Sequence, residues 1–421
     1  MDHNILLSKL ENAGIRGIPL KWFKSYLLDR KQRVLVGSTF SDSTADIKIG
    51  VIQGSILGVL LFLVYINDIH NASDVLYSVL FADDITSLAS AADFQLLQNL
   101  LNIEMHKLCT WYRANKMVVH PMKSKVLFFR RNNRPLPGDL NVFLNENEAG
   151  LADPSNIHPI KIVTKTNPNM SDRCAKILGV FFDENLSFEY HIQHLRSKIN
   201  RSLFGLGRVK NIFGLNTLKL IYFANVHSHL TYCSFIFSMI SKNSLAKLEI
   251  MQKKAIRIVC KKSYRAHAQP LFLACNVLPL NQLIAFNCLR LMYDFANKIL
   301  PPSFDNTWIR NSETEGYNLR NGDDFQIARF HFSSLKSHPY FNFPKQWNDL
   351  KKDFKLTMHR SVFLITLKNI YFTLLILLIT QTVFVNFAAT ISKIWLITST
   401  YRTMLSCSFS SFLYYLILFD C

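Results

Sequence analysis

An α+β fold followed by an all-α region is what this sequence predicts, and three observations carry that expectation. Strand-prone runs alternate with helical periods only as far as Phe188. Beyond it the apolar spacing is helical, at Ile192, Leu195, Ile199, Leu203 and Leu206, then at Leu245, Leu248, Met251, Ala255 and Val259. The 421 residues are 49% hydrophobic and 18% charged, enough apolar material for two or three domains and too much for a disordered chain. With 14 Gly and 13 Pro, collagen-like and low-complexity classes are excluded.

The elements follow in order. Ile5–Ala13 and Pro19–Asp29 read as helices, with Pro19 suited to a first helical position and Asp2 placed to cap the first. Arg33–Val36 and Asp46–Val51 read as short strands. Ser55–Ile66 is apolar nearly all round, which predicts a helix buried on most sides. Val75–Ala82 and Ile85–Ala89 flank Asp83-Asp84 at hairpin spacing. Ser90 and Asp93 read as a capping box. It would start a long amphipathic helix through Phe94, Leu97, Leu101, Met105, Leu108 and Trp111, ending near Asn115. Lys123–Phe129 is strand-like, and a polar connection runs from Arg130 to about Asn156. Lys176–Phe182 and Leu186–Phe188 read as a second hairpin about Asp183-Glu184-Asn185.

Charge is unevenly placed. The net is +19, from 48 Lys+Arg against 29 Asp+Glu, yet Ile370–Cys421 holds only Lys393, Arg402 and Asp420. His191–His267 holds 14 Lys/Arg and a single acid, Glu249. Such a stretch points to a polyanion, nucleic acid ahead of an anionic membrane surface. Its cations, on expected helices, include Arg196, Lys198, Arg201, Arg208, Lys210, Lys253, Lys254, Arg257, Lys261 and Lys262. The other reading is a solvated helix face. Eight cysteines show no zinc spacing, His227-x-His229 is the nearest thing to a ligand pair, and no apolar leader follows Met1. Reduced thiols in an intracellular compartment, nucleus or cytoplasm, are expected.

Two local patterns carry chemistry. Phe81-Ala82-Asp83-Asp84 sits at an expected hairpin tip. Adjacent carboxylates repel, and a divalent cation shared with a third carboxylate relieves that repulsion. Asp-Asp is also ordinary turn chemistry. Upstream, Gly50-Val51-Ile52-Gln53-Gly54-Ser55-Ile56-Leu57-Gly58 is a glycine-punctuated turn, where backbone can approach a ligand and Gln53 offers a donor and an acceptor. Gly54-Ser55 equally reads as the N-cap of the helix that follows.

These two patterns, with Tyr65-Ile66-Asn67-Asp68-Ile69 between them, resemble the palm of a reverse transcriptase of the LINE-type, non-LTR, jockey-like kind. Asp2–Leu10 resembles the segment after the family's first catalytic block, and Trp111–Lys116 through Lys123–Lys125 the block after the carboxylates. Leu178-Gly179-Val180 resembles the primer-gripping hairpin, and Leu248–Val259 and Phe343–Leu350 resemble stretches downstream. The resemblance covers roughly Met1–Phe372. It implies a partial right-hand polymerase palm in 1–190, a basic all-α thumb-like region in 191–300, and a family C-terminal region in 301–368.

It also implies roles. Asp83 and Asp84 would bind two Mg²⁺ with a third carboxylate, and Gln53, Gly54 and Lys123 would line the nucleotide and template pocket. Leu178 and Gly179 would position the primer. Arg196, Arg201, Lys253, Lys254, Arg257, Lys261 and Lys262 would hold phosphates of an RNA template and DNA primer, with deoxynucleotide triphosphates as substrates. The family's first metal-binding aspartate lies about ten residues before the position of Asp2, so the chain as written is expected to be inactive. Ile52 and Val59 stand where the family usually has proline, and His120 where it has asparagine.

The tail, 369–421, is expected to lie outside this core. Asn369–Ser392 has 24 residues without a charge, long enough to span a bilayer, but polar side chains that include Thr380, Gln381, Thr382, Asn386 and Thr390 make insertion marginal. Thr403–Phe419 is a second uncharged run. Translation into AT-rich sequence is the favoured account, with a membrane anchor as the alternative.

Overall fold

The computed structural model describes residues 1–52, 54–130, 135–145, 157–169, 172–314, 322–327, 338–350, 359–371 and 413–420. It forms two compact units: Met1–Ala175 with Ile397–Cys421, and Lys176–Leu396.

The first unit opens with helices α1 (His3–Asn12) and α2 (Ile18–Leu27). The Asp2 carboxylate accepts from the Asn4 and Ile5 N–H groups, the cap its position predicts. Short exposed ladders follow, β1 (Lys31–Gln32) with β4 (Ala45–Asp46) and β2 (Leu35–Val36) with β3 (Thr39–Phe40). Ser55 caps α3 (Ile56–Ile66) by accepting from the Gly58 N–H. A Cβ at Gly58 would stand 2.6 Å from the Ile52 carbonyl, so only glycine lets the turn fold back that closely. Leu6, Leu10, Leu27, Leu61, Tyr65 and Ile66 form one buried cluster.

Helix α3 departs from expectation. Ile56, Val59, Leu60 and Leu63 are exposed, a stripe at i, i+3, i+4 and i+7. A helix apolar on nearly every side carries no polar stripe to mark which face packs, so the expectation of burial on most sides is not met.

A five-stranded sheet forms the other half of the unit. Strands β5 (Tyr77–Phe81) and β6 (Asp84–Ala91) pair through a two-residue turn, with Ala82 left-handed at φ 49°. Asp93, accepting from the Leu96 N–H, caps α4 (Phe94–Ala114). Ser90 belongs to β6, so the capping box is replaced by this single cap. Leu97, Leu101, Met105 and Leu108 of α4 pack with Ile85 and Ala89 of β6 and with Val126 and Phe128 of β7 (Lys125–Phe129). Those strand positions alternate, as a sheet with one face on a helix requires. β8 (Phe143–Asn145) pairs with β9 (Ile157–Pro159), and β10 (Lys161–Val163) runs parallel to β7.

The central strand comes from the far end of the chain. Counted after β11 (Ala175–Ile177) and β12 (Val180–Phe182), it is β13 (Leu413–Asp420), and the sheet order is β10-β7-β13-β6-β5. β13 is antiparallel to both neighbours, with Leu413 opposite Ala91 and Asp420 opposite Asp84, and Tyr414 opposite Phe129. The expectation that the tail lies outside the core therefore fails for these eight residues. A run without charge until its last position suits a strand hydrogen-bonded on both edges within a sheet. Residues 372–412, with most of Asn369–Ser392, lie outside the described residues. Among the described residues no single helix is long and apolar enough to cross a membrane.

The second unit starts with a hairpin, β11 (Ala175–Ile177) and β12 (Val180–Phe182). Leu178 and Gly179 both have positive φ, 45° and 86°, as a type I′ turn requires. The turn thus falls five residues before the predicted one. Asp183 instead organises the entry to α5 (Glu189–Val209): its carboxylate accepts from the Asn185, Ser187 and Phe188 N–H groups and the Ser187 hydroxyl. Short α6 (Leu215–Tyr222) and α7 (Ser228–Thr231) lead to α8 (Lys242–Val259), which packs on α5. α9 (Ala268–Cys275) and α10 (Leu280–Ala296) follow. After the single turn α11 (Asn311–Thr314), helices α12 (Pro339–Asn348) and α13 (Arg360–Tyr371) pack against α10. There Arg360 donates to both oxygens of buried Asp294, at 2.6 and 2.8 Å, and Tyr293 stacks on Phe363.

Two outcomes are expected. Deleting Leu413–Cys421 should open the facing edges of β6 and β7, measured as loss of amide-exchange protection at Ile85–Ala91 and Lys125–Phe129. Unchanged protection would show that β13 is dispensable. Asp294→Ala should cost about 3 kcal/mol in chemical denaturation, because it strands a partly buried guanidinium.

Candidate functional site

Three of the expected site residues converge through the sheet of the first unit. Asp84 opens β6, paired opposite Phe81, and Asp83 is exposed in the turn before it. Asp420 ends β13 opposite Asp84. On the other side of β13, Leu418 lies opposite Lys125, the first residue of β7, and Lys123 stands in the turn just before that strand. Lys123 is exposed and its N–H is bonded to the His120 carbonyl. One end of the sheet thus gathers Asp83, Asp84 and Lys123 from segments forty residues apart, with Asp420 between by register. Among the described residues no group of three metal-ligating side chains is assembled.

The glycine turn stands on its own evidence. Gly50 and Gly54 both have φ 84°, a conformation that favours glycine, and open space surrounds the Gly54 Cα. Gln53 lies outside the described residues. Ser55 performs the cap that the bland reading assigned to Gly54-Ser55. In the second unit, the Leu178 carbonyl accepts from the Tyr232 hydroxyl, which braces the Leu178-Gly179 turn.

The cations of the second unit occupy two packed helices. Arg196 on α5 is half-buried and Arg201 is exposed. On α8, Lys253 reaches Glu249 at 3.6 Å, Lys254 is exposed, and Arg257 donates to the Ala266 carbonyl. Lys261 and Lys262 are exposed just beyond the helix.

Sequence reading missed the histidines. His194 shares α5 with Lys198 and Arg201 at i+4 and i+7, and its ring lies 4.8 Å from that of Phe181. Burial holds it below the usual imidazole value, and Lys198, Lys176, Arg201 and His229 push the same way. His191 is fully buried between Phe181 and Phe237; burial, then His194 and Lys198, pushes it down to about 4. The charged and titratable groups acting on the two imidazoles are all basic. The spacing 194, 198, 201 was visible in the sequence. The contribution of Lys176, from the hairpin, was not.

Two relatives from Drosophila melanogaster are similar to this chain. The probable RNA-directed DNA polymerase from transposon X-element is 23% identical over 253 residues, 58% of this chain and 25% of that protein. The probable RNA-directed DNA polymerase from transposon BS is 24% identical over 305 residues, 67% of this chain and 30% of that protein. The chain therefore spans between a quarter and a third of the length of the curated relatives it matches. No family model matches it, and no solved structure does.

The buried imidazole yields a pH dependence. Unfolded, His191 takes up a proton near 6.5, but folded only near 4, so between these values the unfolded chain binds more protons. Stability should be full above about pH 6.5 and fall as the solution is acidified, by about 2 kcal/mol between pH 7 and pH 5. His191→Phe should flatten that dependence. Urea midpoints at the two pH values check it, and identical slopes for both proteins would remove His191 as the cause.

Proposed function

From a chain related to the reverse transcriptases of LINE-type retrotransposons, we propose a protein that holds an RNA template–DNA primer hybrid. The single observation carrying this reading is the excess of basic over acidic residues along α5 and α8, 14 Lys/Arg against Glu249 from His191 to His267. Two neighbouring histidines are held neutral beside Lys198, Arg201 and Lys176, and a phosphate backbone is the polyanion that relieves such a field. Contacts of this kind position a nucleic acid without reading its sequence. The rigid Leu178-Gly179 turn suits backbone contact with a primer, and left-handed Gly54 lets a template or nucleotide come close.

Catalysis is the narrower part of the proposal. Asp83 and Asp84 offer the hard oxygen ligands that Mg²⁺ takes, and the exposed Lys123 is the cation we assign to the triphosphate of an incoming deoxynucleotide. Bound there, Mg²⁺ would supply charge neutralisation of that triphosphate and activation of the primer hydroxyl. Two neighbouring carboxylates fit one ion; a pair of ions needs a third carboxylate. Nucleic-acid binding without polymerisation is the activity we expect of residues 1–421 by themselves.

Binding should depend steeply on salt. If about six phosphates are engaged, affinity for an RNA–DNA hybrid should fall roughly a thousandfold between 50 and 200 mM salt. Replacing Lys254, Lys261 and Lys262 with Gln should lower the log–log slope by about three. A flat dependence, or a slope untouched by the triple change, would return these cations to the solvated-face reading.

Primer extension on poly(rA)·oligo(dT) with Mg²⁺ or Mn²⁺ should be absent. Extension that is present in the unaltered chain and lost in Asp84→Asn would overturn that expectation.

A further inference from the structure

Cys260 and Cys275 are both free thiols, and their Sγ atoms lie 3.0 Å apart. Each is fixed by the end of a helix. Cys260 caps α8, its N–H bonded to the Ile256 carbonyl, and Lys261 turns left-handed after it at φ 54°. Lys262 then donates its N–H to the Arg257 carbonyl. Cys275 closes α9 in the same way: Asn276 is left-handed at φ 57°, and the Val277 N–H reaches the Phe272 carbonyl. This is the αL helix ending twice over, used here to set two sulfurs face to face. Arg257, donating to the Ala266 carbonyl at 2.8 Å, ties down the loop that joins them.

A disulfide needs its sulfurs about 2.04 Å apart, so about 1 Å of approach separates this pair from a bond. Nothing in the spacing of the eight cysteines advertises it, since fourteen residues stand between the two. We propose that Cys260 and Cys275 form a reversible redox pair, closed to a disulfide by small-molecule disulfides of the glutathione class.

Exposure fixes the order of events. Cys260 is half-buried and reachable, whereas Cys275 is buried, and burial together with Cys260 pushes its thiol up to about 12. The Cys260 thiolate attacks one sulfur of the external disulfide, forming a mixed disulfide and expelling one small thiolate. Cys275 then passes its proton to that thiolate and attacks the Cys260 sulfur, expelling the second small thiolate. Two protein thiols are oxidised and one external disulfide is reduced to two thiols. The ring so closed contains Lys261, Lys262 and Arg265, and it pins their loop to the end of α9.

Tryptic mapping without reductant, after equilibration of the full chain with oxidised glutathione, tests the pair. The Cys260 peptide should appear linked to the Cys275 peptide, two hydrogens lighter than the sum, and dithiothreitol should separate them. In Cys275→Ser, shown by circular dichroism to be folded, glutathione should remain on Cys260 because nothing displaces it. A glutathione adduct that persists on Cys260 in the unaltered chain would overturn the proposal, as would both thiols staying open to alkylation.

Discussion

A strand inside a sheet must satisfy hydrogen bonds on both edges, and in the first unit that demand falls on β6 and β7. Each already has one partner, β5 for β6 and β10 for β7. Neither pairs with the other. Leu413–Asp420 lies between them and makes one five-stranded sheet from two separate pairs. The α4 helix packs across both halves, touching Ile85 and Ala89 on one side and Val126 and Phe128 on the other. Its apolar face therefore meets a continuous surface only while β13 is in place. The placement of Asp84 relative to Lys123 depends on the same strand, because no direct ladder connects their segments.

The second unit rests on a different balance. Its cations lie on α5 and α8, helices whose inner faces share a core and whose acids are few. Ion pairing relieves little of the charge there: Lys253 reaches Glu249 on the helix surface, where such a pair contributes little. Elsewhere in the unit acid and base are matched, with Asp294 held between Arg360 and the neighbouring Arg290. The contrast is informative. One buried charge of the unit has a bidentate partner, while Lys198, Arg201 and Lys176 act on an imidazole that burial already holds below its usual value.

Elements with a strong local period were legible. The apolar series along α4, α5 and α8 gave helices within a few residues of their ends, and Asp2 and Pro19 marked two starts correctly. What failed did so for stated reasons. Helix α3 has no polar contrast, so its packed face could not be read. Asp183-Glu184-Asn185 has turn composition, but left-handed Leu178 and Gly179 made the tighter turn, and Asp183 was left to organise a helix entry. For β13 the obstacle was distance. An uncharged octet reads alike as anchor, readthrough or strand, and its partners stand more than 280 residues earlier.

The family resemblance and the fold meet at only some of the residues that carry it. Asp83 and Asp84 come from one motif and Lys123 from another; Asp84 opens β6, and Asp83 and Lys123 stand in the turns before β6 and β7, at one end of the sheet. Gly54 has the backbone freedom its motif implies, yet Ser55 uses the same turn to cap α3, so that geometry serves both readings. Leu178-Gly179 forms a tight turn of its own unit, braced by the Tyr232 hydroxyl. Strand order therefore bears on where the carboxylates and the lysine lie, and not on where the glycines lie. The acid at position 420 is the residue on which that distinction turns. It lies outside every motif, in a segment whose composition suggested no role, and pairing alone brings it opposite Asp84.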